Sequence, residues 1–401
     1  MDFFEEATAR GFVAQCTDES GLREAMKNSI EAYIGFDATA DCLHIGSLVQ
    51  IMMLRLFQRH GHKAHLVIGG ATTKIGDPSF RDAARPPISA EQIDQNSAGI
   101  IRVFDQFFNN IYQIPPKHNN LDWMSKLNYL DVLSDVASHF SVNRMLSFDS
   151  VKSRLDREQG LSLLEFNYAL MQSYDFWHLT TQHSNLILQM GGSDQWGNIV
   201  SGIELIKKRE HKTVFGLTSP LITMSNGDKM GKSAAGAVWL SPNRLSSFDY
   251  WQFWRNVSDQ DVGKFLRLFT ELHLDTIEEL EQLTGSDINA AKIILANEAT
   301  AIAHGVIAAQ TAADAAREQF HGKKSAADLP VFEVKDLRSG KELVMLLVDV
   351  GFVDSKSSAR RLIESSGVKI NDITISDKTK IISESIKLSV GKKRHIIIKG
   401  S

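Results

Sequence analysis

The 401-residue sequence predicts an α/β fold: a doubly wound, mostly parallel sheet, followed by a helical domain and a small terminal α+β domain. Three observations predict it. From Ala32 to Gly70 the pattern runs strand, turn, helix, strand, because Ala32-Tyr-Ile-Gly-Phe36 is short and apolar, Ile45 to Arg59 has helical periodicity, and Ala64-His-Leu-Val-Ile68 is strand-like again. Asn185-Leu-Ile-Leu-Gln-Met190 then runs into Gly191 and Gly192 and a helical pattern from about Gly197 to Arg209, repeating the strand-loop-helix arrangement. Beyond Leu245 strand signals fade, and Asp261 to Leu272 and Ala290 to Ala313 carry apolar and charged residues at helical spacing. In such a sheet, ligands are expected beyond the carboxyl ends of the strands.

The segment from Ser89 to Tyr174 exceeds a simple crossover and reads as an insertion. The expected division is an α/β domain over 1–233, a helical domain over 234–321, a polar linker over 322–336 and a terminal domain over 337–401. In that last part Glu342 to Val350 and Ser357 to Ser366 have helical patterns, and Lys393-Arg-His-Ile-Ile-Ile398 is β-rich. A chain with 43% hydrophobic and 23% charged residues is neither disordered nor fibrous, and its length calls for more than one core. Its two cysteines, Cys16 and Cys42, form neither a C-x-x-C pair nor a disulfide framework, which points to a reducing cytosol. No basic-then-apolar leader opens the chain and no stretch approaches a membrane span, so a cytoplasmic protein without membrane contact is expected. A net charge of −4 argues against a globally basic nucleic-acid binder and leaves local basic patches as the route to RNA.

Leu43-His-Ile-Gly-Ser47 falls between the first strand and its helix, where unpaired backbone N–H groups favour an anion. Gly46 lets a nucleotide lie close to the backbone, and His44 offers a donor to a phosphate or ribose oxygen. The same residues equally suit a histidine capping the helix beside a packing glycine. A second stretch, Lys229-Met-Gly-Lys-Ser233 after Ser225-Asn-Gly-Asp228, presents two cations three residues apart on a turn; they could follow a polyphosphate as charge develops, or be solvated surface lysines. A Walker A loop needs glycine where Asn226 stands, and no G-x-G-x-x-G follows the first strand, so phosphate-loop and dinucleotide readings are disfavoured. No compact carboxylate cage is visible, and no protein metal site is expected.

Taken together, His44-Ile-Gly-Ser47 and Lys229-Met-Gly-Lys-Ser233 resemble the two nucleotide-binding signatures of class I aminoacyl-tRNA synthetases. Four further stretches are similar to the tyrosyl branch: Tyr33-Ile-Gly-Phe-Asp37-Ala-Thr39-Ala-Asp41, Gly69-Gly-Ala-Thr-Thr-Lys-Ile-Gly-Asp77-Pro78, Tyr168-Ala-Leu-Met-Gln172-Ser-Tyr-Asp175-Phe176 and Gln189-Met-Gly-Gly-Ser-Asp194-Gln195-Trp-Gly-Asn198. The resemblance covers nearly the whole chain and implies a Rossmann-like catalytic domain, an anticodon-binding helical domain and an RNA-binding terminal domain. It implies that Tyr33 and Asp175 hydrogen-bond the phenol of L-tyrosine, while Asp77, Tyr168 and Gln172 hold its ammonium. Gly35, Asp37, Thr39, His44, Gly46, Gly192, Asp194 and Gln195 match positions around ATP, and Ser47 belongs to the same signature. Lys229 and Lys232 match the mobile phosphate-binding loop, with Arg81 and Arg85 in a second cationic segment. Ser47 stands where many relatives have a second histidine, and Gly231 where the commoner loop has serine. The resemblance further implies Mg2+ held largely by ATP and pyrophosphate oxygens, tRNA(Tyr) as partner, and a homodimer through the segment around His139 to Met145. Ser357-Ser-Ala-Arg360-Arg361 through Lys369 is similar to the RNA-binding terminal motif of bacterial and organellar members, with Arg360, Arg361 and Lys369 as phosphate contacts. Two rivals share parts of this pattern: the tryptophanyl relative, which lacks the Tyr33–Asp175 pair, and a non-catalytic RNA-binding descendant.

Overall fold

The computed structural model describes residues 1–79, 88–109, 112–158, 160–225, 227, 230, 232–233, 236–321, 330–371, 373–391 and 394–400; at 149–150, 232–233, 236 and 319–321 it describes the backbone alone. The chain divides into two compact units, Met1–Ala315 and Ala316–Ser401. No helix among the described residues is long and apolar enough to cross a membrane.

The first unit is built on a six-stranded sheet. Its strands are β1 (Gln15–Cys16), β2 (Glu31–Asp37), β3 (Lys63–Gly69), β4 (Lys117–Asn119), β5 (Leu186–Gly192) and β6 (Phe215–Ser219), in the order β1-β6-β5-β2-β3-β4. All pairs are parallel except the edge pair β1–β6. The inner strands are continuous apolar runs because helices cover both faces, as parallel sheets require. Order reverses at β2, where chain direction leads to β3 on one side and β5 lies on the other; the crevice outside their carboxyl ends is the switch point at which ligands collect. A separate antiparallel pair, β7 (Lys232–Ser233) with β8 (Gly236–Ala237), follows the sheet in the chain.

The predicted helix after β2 opens as a 3-10 turn, Ile45–Ser47, and continues as Leu48–Arg59, with nine buried residues that pin it to the sheet. The insertion read over Ser89 to Tyr174 contributes a strand of its own. After the helix Ala90–Phe108 it supplies β4, which adds to the β3 edge with Val67 opposite His118. The helical region after Ser246 includes Ser247–Arg255, Val262–Phe269, Ile288–His304 and Val306–His321. The single helical pattern over Ala290 to Ala313 is two helices, because Gly305 adopts φ +91°, which only glycine enters cheaply and which ends a helix.

The second unit contains β9 (Val331–Val334), β10 (Lys341–Glu342), β11 (Val368–Ile370), β12 (Ile373–Ile375), β13 (Ile381–Ile382), β14 (Ile386–Val390) and β15 (Arg394–Gly400). Five of these form one sheet in the order β12-β11-β14-β15-β9, while β10 pairs with β13. Val331–Val334 lies inside the stretch read as linker over 322–336, yet pairs in parallel with β15; its apolar residues, Val331, Phe332 and Val334, outweigh the polar composition before them. The helices Leu343–Asp349 and Lys356–Glu364 pack on this sheet around Leu343, Leu346, Leu347, Ile363, Val368, Leu388 and Ile398, a core separate from that of the first unit.

Candidate active site

The carboxyl ends of β2, β3 and β5 open into a cleft of about 530 Å³. Among its lining residues are Tyr33, Gly35, Asp37, Thr39, His44, Gly46, Ser47, Asp77, Tyr168, Gln172, Asp175, Gly192, Asp194 and Gln195, every expected tyrosine residue and all the expected nucleotide residues of the first signature. Arg81, Arg85 and Lys229 lie outside the described residues, as does the Lys232 side chain, whose backbone forms β7.

At the buried end, Tyr33 on β2 is 1% exposed and its hydroxyl has no hydrogen-bond partner among the described residues. Burial, and then the Asp175 charge, push its phenol well above the usual range, so it remains a neutral donor and acceptor. Asp175 projects from the helix Tyr168–Gln182. One of its oxygens accepts from Trp123 Nε1 at 2.8 Å and the other from Asn120 Nδ2 at 3.0 Å. Burial dominates these donors and raises its pKa from 3.8 to about 7. Gln189, opposite Tyr33 on β5 and 1% exposed, holds a second acceptor in the cleft wall, Oε1, with no partner among the described residues. Buried polar atoms left unpaired cost roughly 1–3 kcal/mol each, so orphans gathered in one cavity mark where a polar ligand completes the bonding.

Beside this end lies a ring of carboxylates and amides. Asp37 accepts from Thr72 Oγ1 at 2.7 Å and from Tyr168 Oη at 3.2 Å. Asp77 accepts from Gln195 Nε2 at 2.7 Å, and Asn198 Nδ2 donates to Gln172 Oε1 at 3.0 Å and Gln195 Oε1 at 3.2 Å. Thus Asp77, Gln172 and Gln195 form one network hinged on Asn198, acceptor-rich as a cation requires. Sequence reasoning missed Asn198, as it missed Asn120, Trp123 and Gln189. Asn198 falls within the Gln189-to-Asn198 stretch, whereas Asn120 and Trp123 follow an edge strand with no sequence signal of its own.

At the open end, the turn after β2 is fixed from behind: Thr73 Oγ1 accepts from Ala38 N, and Asn96 Nδ2 donates to Ala38 O. His44 Nδ1 accepts from Gly46 N at 3.0 Å, so the helix-capping role holds for one ring nitrogen and fixes the proton on Nε2, the atom suited to donate. A Cβ on Gly46 would meet His44 Cε1 at 2.6 Å and Met230 O at 3.3 Å, which explains the glycine by close approach. Gly35 differs: a Cβ there meets nothing within 4 Å, and its side chain would project into open space along the cleft wall. Ser47 makes no side-chain cap bond for the helix it precedes.

A parallel switch-point cleft with a glycine-containing turn and helix start after β2 and a buried acidic pocket behind it is an arrangement that suits a nucleotide-using α/β enzyme. Residues 25–321 match the family model of class I tRNA synthetases (W and Y), and the chain belongs to that family. Residues 322–400 match the model of the tyrosine–tRNA ligase SYY-like C-terminal domain. The chain is 52% identical to the tyrosine–tRNA ligases of Roseobacter denitrificans and Ruegeria pomeroyi, with 99% of this chain and 98% of each relative covered. Among solved structures, a C-terminally truncated mitochondrial tyrosyl-tRNA synthetase from Aspergillus nidulans superposes with a TM-score of 0.71 at 27% identity, covering 80% of this chain and 94% of that one.

Proposed function

We propose that this chain is a tyrosine–tRNA ligase: it activates L-tyrosine with ATP, giving tyrosyl-adenylate and pyrophosphate, and transfers the tyrosyl group to the 3′ end of tRNA(Tyr). The observation that carries the choice of amino acid is the orphan Tyr33 hydroxyl sharing a buried cleft end with the Asp175 carboxylate. A phenol entering there donates to Asp175 and accepts from Tyr33; phenylalanine would leave the Tyr33 hydroxyl unpaired and bring Asp175 no further donor. Rejection of phenylalanine by about 10⁵-fold without editing is a property already known for this enzyme family, not a figure calculated from this cleft. Tryptophan would bring an indole N–H, a donor with no acceptor for Tyr33.

Asp77, Tyr168 and Gln172 hold the substrate ammonium, with Asn198 positioning Gln172. The tyrosine carboxylate attacks the α-phosphorus, a new C–O–P bond forms, and the bond to pyrophosphate breaks. This nucleophile needs no general base, so the protein contributes alignment and charge stabilisation. Gly35, Asp37, Thr39, His44, Gly46, Ser47, Gly192, Asp194 and Gln195 surround ATP, while Lys229 and Lys232, with Arg81 and Arg85, neutralise the departing pyrophosphate. Mg2+ accompanies the phosphates, bound by their oxygens and water.

The terminal unit grips tRNA through Arg360, Arg361 and Lys369, all exposed on the helix Lys356–Glu364 and β11. Two subunits meet through the insertion, where Tyr129, Leu130, Val142 and Leu163 are 60–71% exposed, an apolar display that a partner would cover; a monomer by sedimentation velocity at micromolar concentration would refute this. The organisation into a catalytic part over 1–233, an anticodon-binding part over 234–321 and an RNA-binding part that includes the strand Val331–Val334, working in the cytoplasm, follows from the same reading. Pyrophosphate–ATP exchange with each amino acid supplied separately tests it: exchange confined to tyrosine is expected, and no exchange by folded protein with Mg2+ would overturn it.

A further inference from the structure

Behind the buried end of the cleft, toward the amino ends of the strands, three histidines converge from distant parts of the chain, with His65 in register beside Tyr33. His65 sits near the start of β3 and His118 on β4, while His183 caps the end of the helix Tyr168–Gln182, just before β5. One ligating atom from each lies within 4.8 Å of the other two. His65 Nδ1 is 3.0 Å from His118 Nε2, and the His65 and His118 rings stack with centroids 5.3 Å apart. The other nitrogen of His65, Nε2, is 2.9 Å from Glu31 Oε2 at the start of β2.

We propose that His65, His118 and His183 bind a divalent transition-metal ion with a preference for imidazole, Zn2+ above all, with Glu31 orienting His65 from behind.

The Glu31–His65 pair carries the distinction from an ordinary histidine stack. A carboxylate that takes the proton of one ring nitrogen fixes the tautomer and turns the other nitrogen, as a lone pair, toward the centre; metal-bound histidines are held this way, and the carboxylate makes the ligand more basic. Here Nδ1 is the inward atom; in this structure it is hydrogen-bonded to His118 Nε2, a bond that the ion would replace. Tetrahedral zinc with Zn–N bonds of about 2.0–2.1 Å needs ligand nitrogens about 3.4 Å apart, close to the His65–His118 spacing. His183, whose side chain is 33% exposed and whose Nδ1 lies 3.8 Å from Glu31 Oε2, would supply the third ligand and water the fourth. Ligands must be neutral to bind. Burial lowers the pKa of His65, and that of His118 to about 4, which favours the neutral ring in both. Among the described residues, the other titratable groups facing the cluster are Glu31, Lys63 with Nζ 3.7 Å from Glu31, and His178, itself held neutral chiefly by burial and then by His183 and Lys126.

No sequence spacing announces this site, since its ligands are brought together only by sheet order and by the end of one helix. Its ligands belong to β3, to β4 and to the end of the helix that carries Asp175, so a bound ion serves as a clamp tying the β4 edge to β3 and to that helix.

The full chain, stripped with chelator, would be titrated with Co2+ as a visible probe and with Zn2+ in competition. One Co2+ per chain with the intense bands of a four-coordinate site, displaced by one Zn2+, is expected, together with a rise in Tm on adding Zn2+. His118→Asn and His183→Asn should each weaken binding by about 100-fold or more, Glu31→Gln by about 10–100-fold, and the exposed His211→Asn not at all. Absence of those bands in the wild-type chain overturns the proposal without needing any variant; equal affinity in His118→Asn and His183→Asn does so as well. Tyrosine-dependent exchange, measured in parallel, reports on the catalytic reading independently.

Discussion

The buried Tyr33 hydroxyl has no partner among the described residues, and on the proposed function it gains one when tyrosine binds. Tyr33→Phe should therefore separate stability from recognition. Removing an unsatisfied group leaves the free protein as stable as before or up to about 1 kcal/mol more stable, while tyrosine loses one hydrogen bond and its KM rises about 2–10-fold. Chemical denaturation beside steady-state exchange measures both, and a large loss of stability with unchanged KM would show that the hydroxyl holds the fold instead. Asp175 makes a second prediction. Its folded pKa of about 7 exceeds the unfolded 3.8, so the protonated form favours folding: this contribution is fully present below 3.8 and is lost as pH rises through about 7. A phenol donating to the carboxylate favours its charged form, so tyrosine binding at pH 7 should release about half a proton, and none in Asp175→Asn. Calorimetry in buffers of different ionisation enthalpy reads this directly; zero release by the wild type would sink it. The sequence made Tyr33 and Asp175 legible because both sit in recognisable stretches. Gln189 stood in such a stretch without a role, and Asn120 and Trp123 were hidden because their part in the pocket depends on where a three-residue edge strand docks.

At the scale of elements, glycines inside helices usually invite replacement by alanine, which gains about 0.5–1 kcal/mol. Gly99, in the middle of the helix Ala90–Phe108, should behave in the opposite way. A Cβ there would lie 1.9 Å from the Asp41 carbonyl oxygen, on the loop that leads from β2 to His44. Backbone cannot swing aside like a flexible side chain, so Gly99→Ala should lower stability by about 1–3 kcal/mol. It should also raise the KM for ATP, because the same helix fixes Ala38 through Asn96. A variant as stable as the wild type with unaltered ATP dependence would mean that the contact is loose in solution. The elements themselves were legible where periodicity was strong: β2, β3 and β5 are found where the apolar runs fall. Short strands were not. β1 and β4 hold two and three residues, too few for any alternation, and exist because a neighbouring strand offers unpaired N–H and C=O groups. Gly305 was overlooked as a helix break because a lone glycine is also tolerated within a helix, and only its φ decides.

At the scale of the molecule, each unit has its own apolar core, so neither needs the other's side chains to fold. The sequence foretold a separate terminal part but placed its start too late, since the strand Val331–Val334 follows a polar run and belongs to the sheet behind that run. Removing everything after His321 should then leave the first unit folded and tyrosine activation undiminished, because every described residue of the cleft precedes it. What the truncation should lose is grip on RNA. Arg360, Arg361 and Lys369 are exposed and can each meet one phosphate, a contact that carries no sequence information but releases counterions. Each phosphate contact on a folded RNA contributes roughly 0.7–0.9 to the slope of log affinity against log salt. Loss of three such contacts should flatten that slope by about 2–3 units, and Arg360→Ala with Arg361→Ala in the full chain by about 1.5. Filter binding of tRNA(Tyr) across a salt series, set beside pyrophosphate exchange on the same preparations, separates the two functions. An unchanged slope in the truncated protein would place the phosphate contacts in the first unit, whereas a loss of exchange would show that the terminal unit is required for activation itself.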